Sequence, residues 1–265
     1  MHYFRKEISI AHASWQPILD EGLCAIERDW PGYLSQLAEA DFLPCQAQLF
    51  AAFSQPIDQI KYVLVGEGPY PRTESANGNC FMDAAVGSLW ATENKGGLSK
   101  TVNRATSLRN FLKMLMVAER HIPIEELNSD SIARFAARVR TANSGFVQTM
   151  SELQTNFLQS GFLLLNASLV FRKDVAPAKD ARAWFSFMSV IVSHLEAFHL
   201  KQTNSDKVCF ILWGKIADQC LRIPSLRASK VFEIVQAEHP YNLSFIHNET
   251  MWRLFSELNL LRKHT

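Results

Sequence analysis

The sequence carries almost no surplus charge. Its 27 Lys and Arg face 26 Asp and Glu, leaving a formal net charge of +1. A chain so balanced exerts no global pull on a polyanion, so any nucleic-acid binding must come from a local patch. Long apolar runs are missing as well. No stretch of about 18 consecutive apolar residues occurs, which argues against a membrane-spanning helix. The opening Met1-His2-Tyr3-Phe4-Arg5-Lys6-Glu7 lacks the apolar core of a signal peptide, so a cytoplasmic protein is expected. The five cysteines, at 24, 45, 80, 209 and 220, form no Cys-x-x-Cys; that number and spacing read as reduced thiols rather than a disulfide framework. There is no Gly-x-Ser-x-Gly elbow, no Walker-type phosphate loop, no Gly-x-Gly-x-x-Gly after a strand and no His-Glu-x-x-His. The eight histidines are scattered and none pairs with Cys or a carboxylate at metal spacing, so neither a metal nor a cofactor is expected.

What is present is a set of short apolar runs that end in polar punctuation. Val63-Leu64-Val65 runs into Gly66-Glu67-Gly68-Pro69-Tyr70-Pro71, which stops a strand and forces a tight turn. Phe162-Leu163-Leu164-Leu165 ends at Asn166, and Val208 to Trp213 ends at Gly214. Val231 to Val235 is followed by Gln236 and His239-Pro240. Helical segments separate the four runs, so they predict a parallel sheet covered on both faces. In such sheets ligands bind outside the carboxyl ends of the strands. Glu67, Asn166 and His239 are thereby expected on one edge of one sheet.

The helical segments follow from apolar spacing. Residues 12–40 read as helical with a break at Pro31-Gly32, and Leu49, Phe50 and Phe53 suggest a short helix before the first strand. A helix bearing Leu108, Phe111, Leu112 and Leu115 is expected, capped by Thr106 or Ser107. Others are expected over 146–159, over 181–198, from Gly214 to about Leu221, and at the C-terminus through Met251, Leu254, Phe255 and Leu258. Residues 66–97 read as a long loop, of the kind that is functional or mobile, with Thr92 to Gly97 as its mobile end. With 265 residues, 48% of them hydrophobic, the chain suits one large α/β domain or two small ones. No repeat or composition shift marks a boundary, so one domain over 1–265 is expected.

Six stretches at the predicted strand and helix ends together resemble the uracil-DNA glycosylases. Gly66-Glu67-Gly68-Pro69-Tyr70 is similar to that family's Gly-Gln-Asp-Pro-Tyr, and Asn79-Cys80-Phe81 to its Leu-(Cys/Ala)-Phe. Thr106-Ser107-Leu108-Arg109-Asn110-Phe111 resembles Pro-Ser-Leu-Lys-Asn-Ile, and Leu163-Leu164-Leu165-Asn166-Ala167 matches Leu-Leu-Leu-Asn-Ala. Phe210-Ile211-Leu212-Trp213-Gly214 is similar to Phe-(Met/Ile)-Leu-Trp-Gly, and His239-Pro240-Tyr241-Asn242-Leu243-Ser244 to His-Pro-Ser-Pro-Leu-Ser. Taken singly, an Asn at a strand end is most often a turn or cap residue, and Phe81 or Tyr70 would be core. The six matches fall in family order over roughly residues 42–262, with 1–41 as a helical N-terminal part of the same domain.

The resemblance implies a three-layer α/β/α sandwich with a central, mostly parallel four-stranded sheet. It also implies a monomer that flips a base out of DNA, single- or double-stranded, and hydrolyses its glycosidic bond in base excision repair. Under that reading Asn166 pairs with the edge of the base, Phe81 stacks on it, and Tyr70 stands where thymine carries its methyl. His239 stabilises the charge that develops on the departing base, and Leu243 fills the gap in the stack. Ser107 and Ser244 hold phosphates, and Arg104, Arg109, Arg172 and Lys173 supply local positive charge.

Three departures fall on the chemistry. The family's Asp is Gly68 here, the His that follows Pro-Tyr is Pro71, and the Ser and second Pro of the last motif are Tyr241 and Asn242. The neighbouring Glu67 is the candidate surrogate for the lost carboxylate. Three functions therefore stay open: a glycosylase with a displaced carboxylate, a catalytically inactive relative that binds DNA or a protein partner, and a small-molecule nucleotide hydrolase on the same scaffold.

Overall fold

The computed structural model describes residues 3–92, 96–141, 143–202 and 207–264. Glu93, Asn94 and Lys95, at the expected mobile end of the long loop, lie outside the described residues. The chain divides into two compact units. The first comprises residues 1–83 and 161–236, the second 84–160 and 237–265.

The first unit holds the sheet. β1 (Tyr62–Gly66), β2 (Phe162–Asn166), β3 (Val208–Trp213) and β4 (Phe232–Ala237) are ordered β2-β1-β3-β4. All run parallel, with flanking helices, as the alternation of strand and helix requires. The register sets Val63 beside Leu163 and Phe210, and Gly66 beside Asn166. Every residue of β2 and β3 is buried, which explains why these runs carry no polar alternation. β4 is more exposed and begins and ends later than the apolar run suggests.

The helix Pro177–Leu200, longer at both ends than its apolar spacing marks, packs on the helix Gln16–Asp29. Their approach needs Gly22, because a Cβ there would meet the Phe187 ring at 2.5 Å. Phe50, Phe53, Trp184 and Phe187 fill the space beside it. A polar network crosses this apolar layer. The Tyr33 hydroxyl donates to buried Asp180 at 2.7 Å, Trp184 Nε1 donates to Tyr33 at 3.1 Å, and Arg172 pairs with the same carboxylate. Arg172 is thus engaged inside the unit rather than offered to DNA. Single turns of 3-10 helix, at Gln46–Gln48, Ala51–Ser54 and Ile57–Gln59, stand where one short helix was expected.

The second unit is helical. Helix Thr106–Ala118 buries Leu108, Phe111, Leu112 and Leu115, and Phe111 meets Phe255 edge-on at 5.3 Å. Its expected cap is corrected by the structure. Thr106 and Ser107 lie inside the helix, and Ala105 caps it without a side-chain bond. The short helix Lys100–Arg104 ends at that same Ala105, and Ser99 caps its start instead by accepting from Val102 N–H. Helix Met150–Gln159 starts four residues later than expected, at a capping box between Thr149 and Glu152. Helix Ser129–Val139, absent from the expected helices, starts with a capping box between Asn128 and Ser131 and buries Ile132, Phe135, Ala136 and Val139. The C-terminal helix closes at Phe255, so Leu258 lies past its end.

Candidate functional site

In the first unit the candidate site grows from the junction of β1 and β2. Gly66 closes β1 opposite Asn166, which closes β2. A Cβ on residue 66 would lie 2.7 Å from Asn166 Oδ1 and 2.8 Å from Cys80 Cβ, so only glycine leaves the amide its place. Asn166 is 2% exposed, and its Oδ1 is buried with no hydrogen-bond partner among the described residues. A buried, unsatisfied amide oxygen costs about 1–3 kcal/mol, and a ligand bearing a donor removes that cost. The main chain around it is fixed: Ala167 N–H donates to Gly66 O at 2.8 Å, Ser168 N–H to Glu67 O at 3.2 Å, and Cys80 N–H to Leu164 O at 3.0 Å.

The loop after β1 returns to this point through Phe81. That residue adopts a left-handed backbone, φ 64°, which is costly for an aromatic residue and marks a conformation imposed by its surroundings. Its ring meets Trp213, at the end of β3, edge-on at 5.2 Å. The Tyr70 hydroxyl donates to Phe81 O at 3.3 Å. Burial, helped by the nearby Asp83 carboxylate, pushes the Tyr70 phenol well above its usual value, so it stays a neutral donor. Arg72 pairs with Asp83 at 3.2 Å across the same loop. Burial likewise pushes the Cys80 thiol up, which makes it an inert packing residue.

Glu67 and Gly68 lie just past β1 and are exposed. They line one groove of about 430 Å³ with Ser168, Lys215 and Gln219. The Glu67 carboxylate has neither a hydrogen bond nor an ion pair among the described residues, whereas the Ser168 hydroxyl donates to Val170 O at 2.8 Å. At Gly68 an added Cβ would meet nothing closer than Ser168 O at 3.8 Å, so the groove is open where the family's Asp side chain would begin.

The second unit carries the remaining candidates. His239 Nδ1 accepts from Tyr241 N–H at 3.1 Å. A backbone amide can only donate, so Nδ1 is the accepting nitrogen and the ring hydrogen sits on Nε2. Beyond it Tyr241 and Leu243 are 68% and 69% exposed. Their loop is held from behind by Asn110, in helix Thr106–Ala118. Its Nδ2 lies 2.8 Å from Pro240 O, 3.3 Å from Tyr241 O and 3.4 Å from Asn242 O. Phe245 and Ile246 anchor the far side in the core, and Asn248 caps the next helix through Met251 N–H. Ser244 is exposed and Ser107 half-buried. Asn110 as a support of this loop is not legible in the sequence, because its partners lie 130 residues away.

A parallel sheet with a buried amide at the carboxyl end of one strand, its oxygen without a partner among the described residues, and an exposed carboxylate just past its neighbour defines an α/β protein with ligand-reading groups at its strand ends. Residues 53–259 match the family model of the Uracil DNA glycosylase superfamily, and the chain belongs to that superfamily. It is similar to the uracil-DNA glycosylase of Flavobacterium johnsoniae, 24% identical over 257 residues that cover 94% of this chain and 92% of the relative. It is also similar to the UNG crystal structure from Nitratifractor salsuginis, 34% identical with a TM-score of 0.82, covering 97% of this chain and 95% of that one. Mimivirus uracil-DNA glycosylase, at 18% identity and a TM-score of 0.52 over 87% of this chain and 70% of its own, shares the fold. No helix among the described residues is long and apolar enough to cross a membrane.

Proposed function

We propose that this protein is a uracil-DNA glycosylase in which Glu67 does the work of the carboxylate that Gly68 lacks. The observation that carries the reading is the buried Asn166 amide, fixed at the end of β2 and left without a partner for its oxygen. An amide offers a donor and an acceptor side by side, the complement of O4 and N3–H on uracil. A base in a duplex must leave the stack to be read in this way. Phe81 then stacks on the ring, and Tyr70 occupies the space that a thymine methyl would need.

Hydrolysis breaks the C1′–N1 bond with its electron pair leaving on the uracil ring. Water adds its oxygen to C1′, and its proton passes to the Glu67 carboxylate, which also offsets the positive charge on the sugar. His239 donates from Nε2 to the uracil O2, where the negative charge collects. Leu243 fills the vacated stack, and Ser107 and Ser244 hold phosphates. The reading includes a monomeric, cytoplasmic protein acting on single- or double-stranded DNA without a cofactor. Gly68 favours one alternative, a relative that binds DNA without cleaving it.

Uracil-containing oligonucleotides, single- and double-stranded, test the reading at high enzyme concentration. Cleavage is expected, reduced about 10²–10⁴-fold in Glu67→Gln and strongly in Asn166→Ala. Undiminished cleavage by Glu67→Gln would remove Glu67 from the mechanism. Binding of uracil DNA by a folded protein that never cuts it would establish the non-catalytic alternative.

A further inference from the structure

Two large apolar side chains stand out of the second unit two residues apart, Tyr241 at 68% exposure and Leu243 at 69%. The function proposed above uses only Leu243. An exposed tyrosine on a loose loop would carry little meaning, but this loop is not loose. Asn110 Nδ2 reaches the carbonyls of Pro240, Tyr241 and Asn242, and the Tyr241 N–H is held by His239 Nδ1. Phe245 and Ile246, 0% and 3% exposed, fix the segment that follows. The ring is thus presented to solvent from an immobilised main chain, and a ligand that covers it need not order the loop first.

We infer that Tyr241 is a second nucleic-acid-contacting residue, a platform on which the base next to the vacated position stacks. The inference rests on the glycosylase reading, because it takes Leu243 as the group that fills the vacancy. Two residues of chain span at most about 7 Å, and stacked nucleotides are spaced about 3.4 Å along one strand. The spacing of ring and wedge along the chain is therefore commensurate with that of neighbouring bases. Stacking on an aromatic face tolerates any base but requires that face to be free of its own neighbours. Single-stranded DNA frees such faces at lower cost than a duplex, which must first unpair and unstack, so Tyr241 biases binding toward single strands. The serine that the family motif carries here offers no such surface.

The test measures binding of single- and double-stranded oligonucleotides that contain an abasic-site analogue flanked by 2-aminopurine, with cleavage of uracil oligonucleotides followed in parallel. Tyr241→Ser is expected to weaken single-strand binding by about 5- to 150-fold, from the worth of one stacked base. It should also abolish the change in 2-aminopurine fluorescence on binding, while Tyr241→Phe keeps both within about twofold. Single-strand binding by Tyr241→Ser equal to that of the unaltered protein would overturn the inference. So would equal losses in the Ser and Phe variants, which would assign the effect to the hydroxyl. If uracil DNA stays uncut while binding still depends on the ring, the glycosylase reading falls and the platform stands. If the unaltered protein binds neither oligonucleotide, both fall.

Discussion

Gly68 sits at a position where the fold would accept a side chain. A Cβ there has only ordinary contacts with Ser168, at 3.8 and 3.9 Å, and the backbone is not in the left-handed region that would demand glycine. Neither crowding nor a left-handed turn therefore accounts for the glycine at this point. Gly68→Asp should fold with unchanged stability and add a second carboxylate beside Glu67. If Glu67 acts as a less well placed surrogate, the substitution raises the single-turnover cleavage rate by about 10²-fold, the lower range for a positioned base. An unchanged rate would mean that Glu67 already supplies what an aspartate would. Asn166, Phe81 and Tyr70 were singled out only by the six motifs taken together, since each alone reads as a cap or core residue. What the sequence did not carry is the lack of a partner for Asn166 Oδ1 and the left-handed backbone of Phe81, both of which arise from packing between distant segments.

Among the elements, the loop from His239 to His247 is held from behind by the Asn110 amide, beside its own turn bonds and the buried Phe245 and Ile246. Asn110 Nδ2 is the group the structure sets against three successive carbonyls, the nearest of them at 2.8 Å. Replacing it with leucine keeps the volume and leaves a buried carbonyl without its donor, a loss of about 1–3 kcal/mol that is partly offset by removing the unpartnered Asn110 Oδ1. Asn110→Leu should lower the urea midpoint accordingly. It should also weaken DNA binding at temperatures where the protein is still folded, because the exposed Tyr241 and Leu243 would no longer be held. A lower midpoint with unchanged DNA affinity would confine Asn110 to a purely structural role. The elements that sequence reading missed share a cause. Helix Ser129–Val139 opens on a polar run, Asn128-Ser129-Asp130-Ser131, that reads equally as loop, and its Asn128–Ser131 capping box departs from the usual Ser/Thr and Glu/Gln pairing. Thr106 and Ser107 look like caps, and they are not, because a second helix runs directly into theirs and shares Ala105. Strands were read more surely, since an uninterrupted apolar run ending in Gly or Asn has few alternatives in a parallel sheet.

At the scale of the whole molecule, a shifted group in each unit titrates in its own range, His199 in the first and Glu152 in the second, so acid should act on the two through separate windows. His199, near the end of helix Pro177–Leu200 in the first unit, is 6% exposed, and burial holds its imidazole below the ordinary value. The unfolded chain takes up that proton near pH 6.5, while the folded unit resists it. The unfolded state therefore binds more protons below that point, and stability falls as the pH drops through about 6.5 toward the folded value. Glu152, in the second unit, behaves differently. Burial pushes its carboxyl up, but the hydrogen bond from Lys263 and the N–H groups of Gln148 and Thr149 outweigh it, and the net shift is downward. Its contribution is intact above the unfolded carboxyl value, about 4.3, and is lost only as the pH falls further, through the lower folded value. Urea unfolding at pH 8, 6 and 5 should show stability declining across this range, and the decline should shrink in His199→Gln. Hydrogen exchange at the same pH values should show protection weakening in helix Pro177–Leu200 while helix Met150–Gln159 keeps its own. An equal loss in His199→Gln and the unaltered protein would assign the first window to another group, and simultaneous loss in both helices would mean that the two units unfold as one.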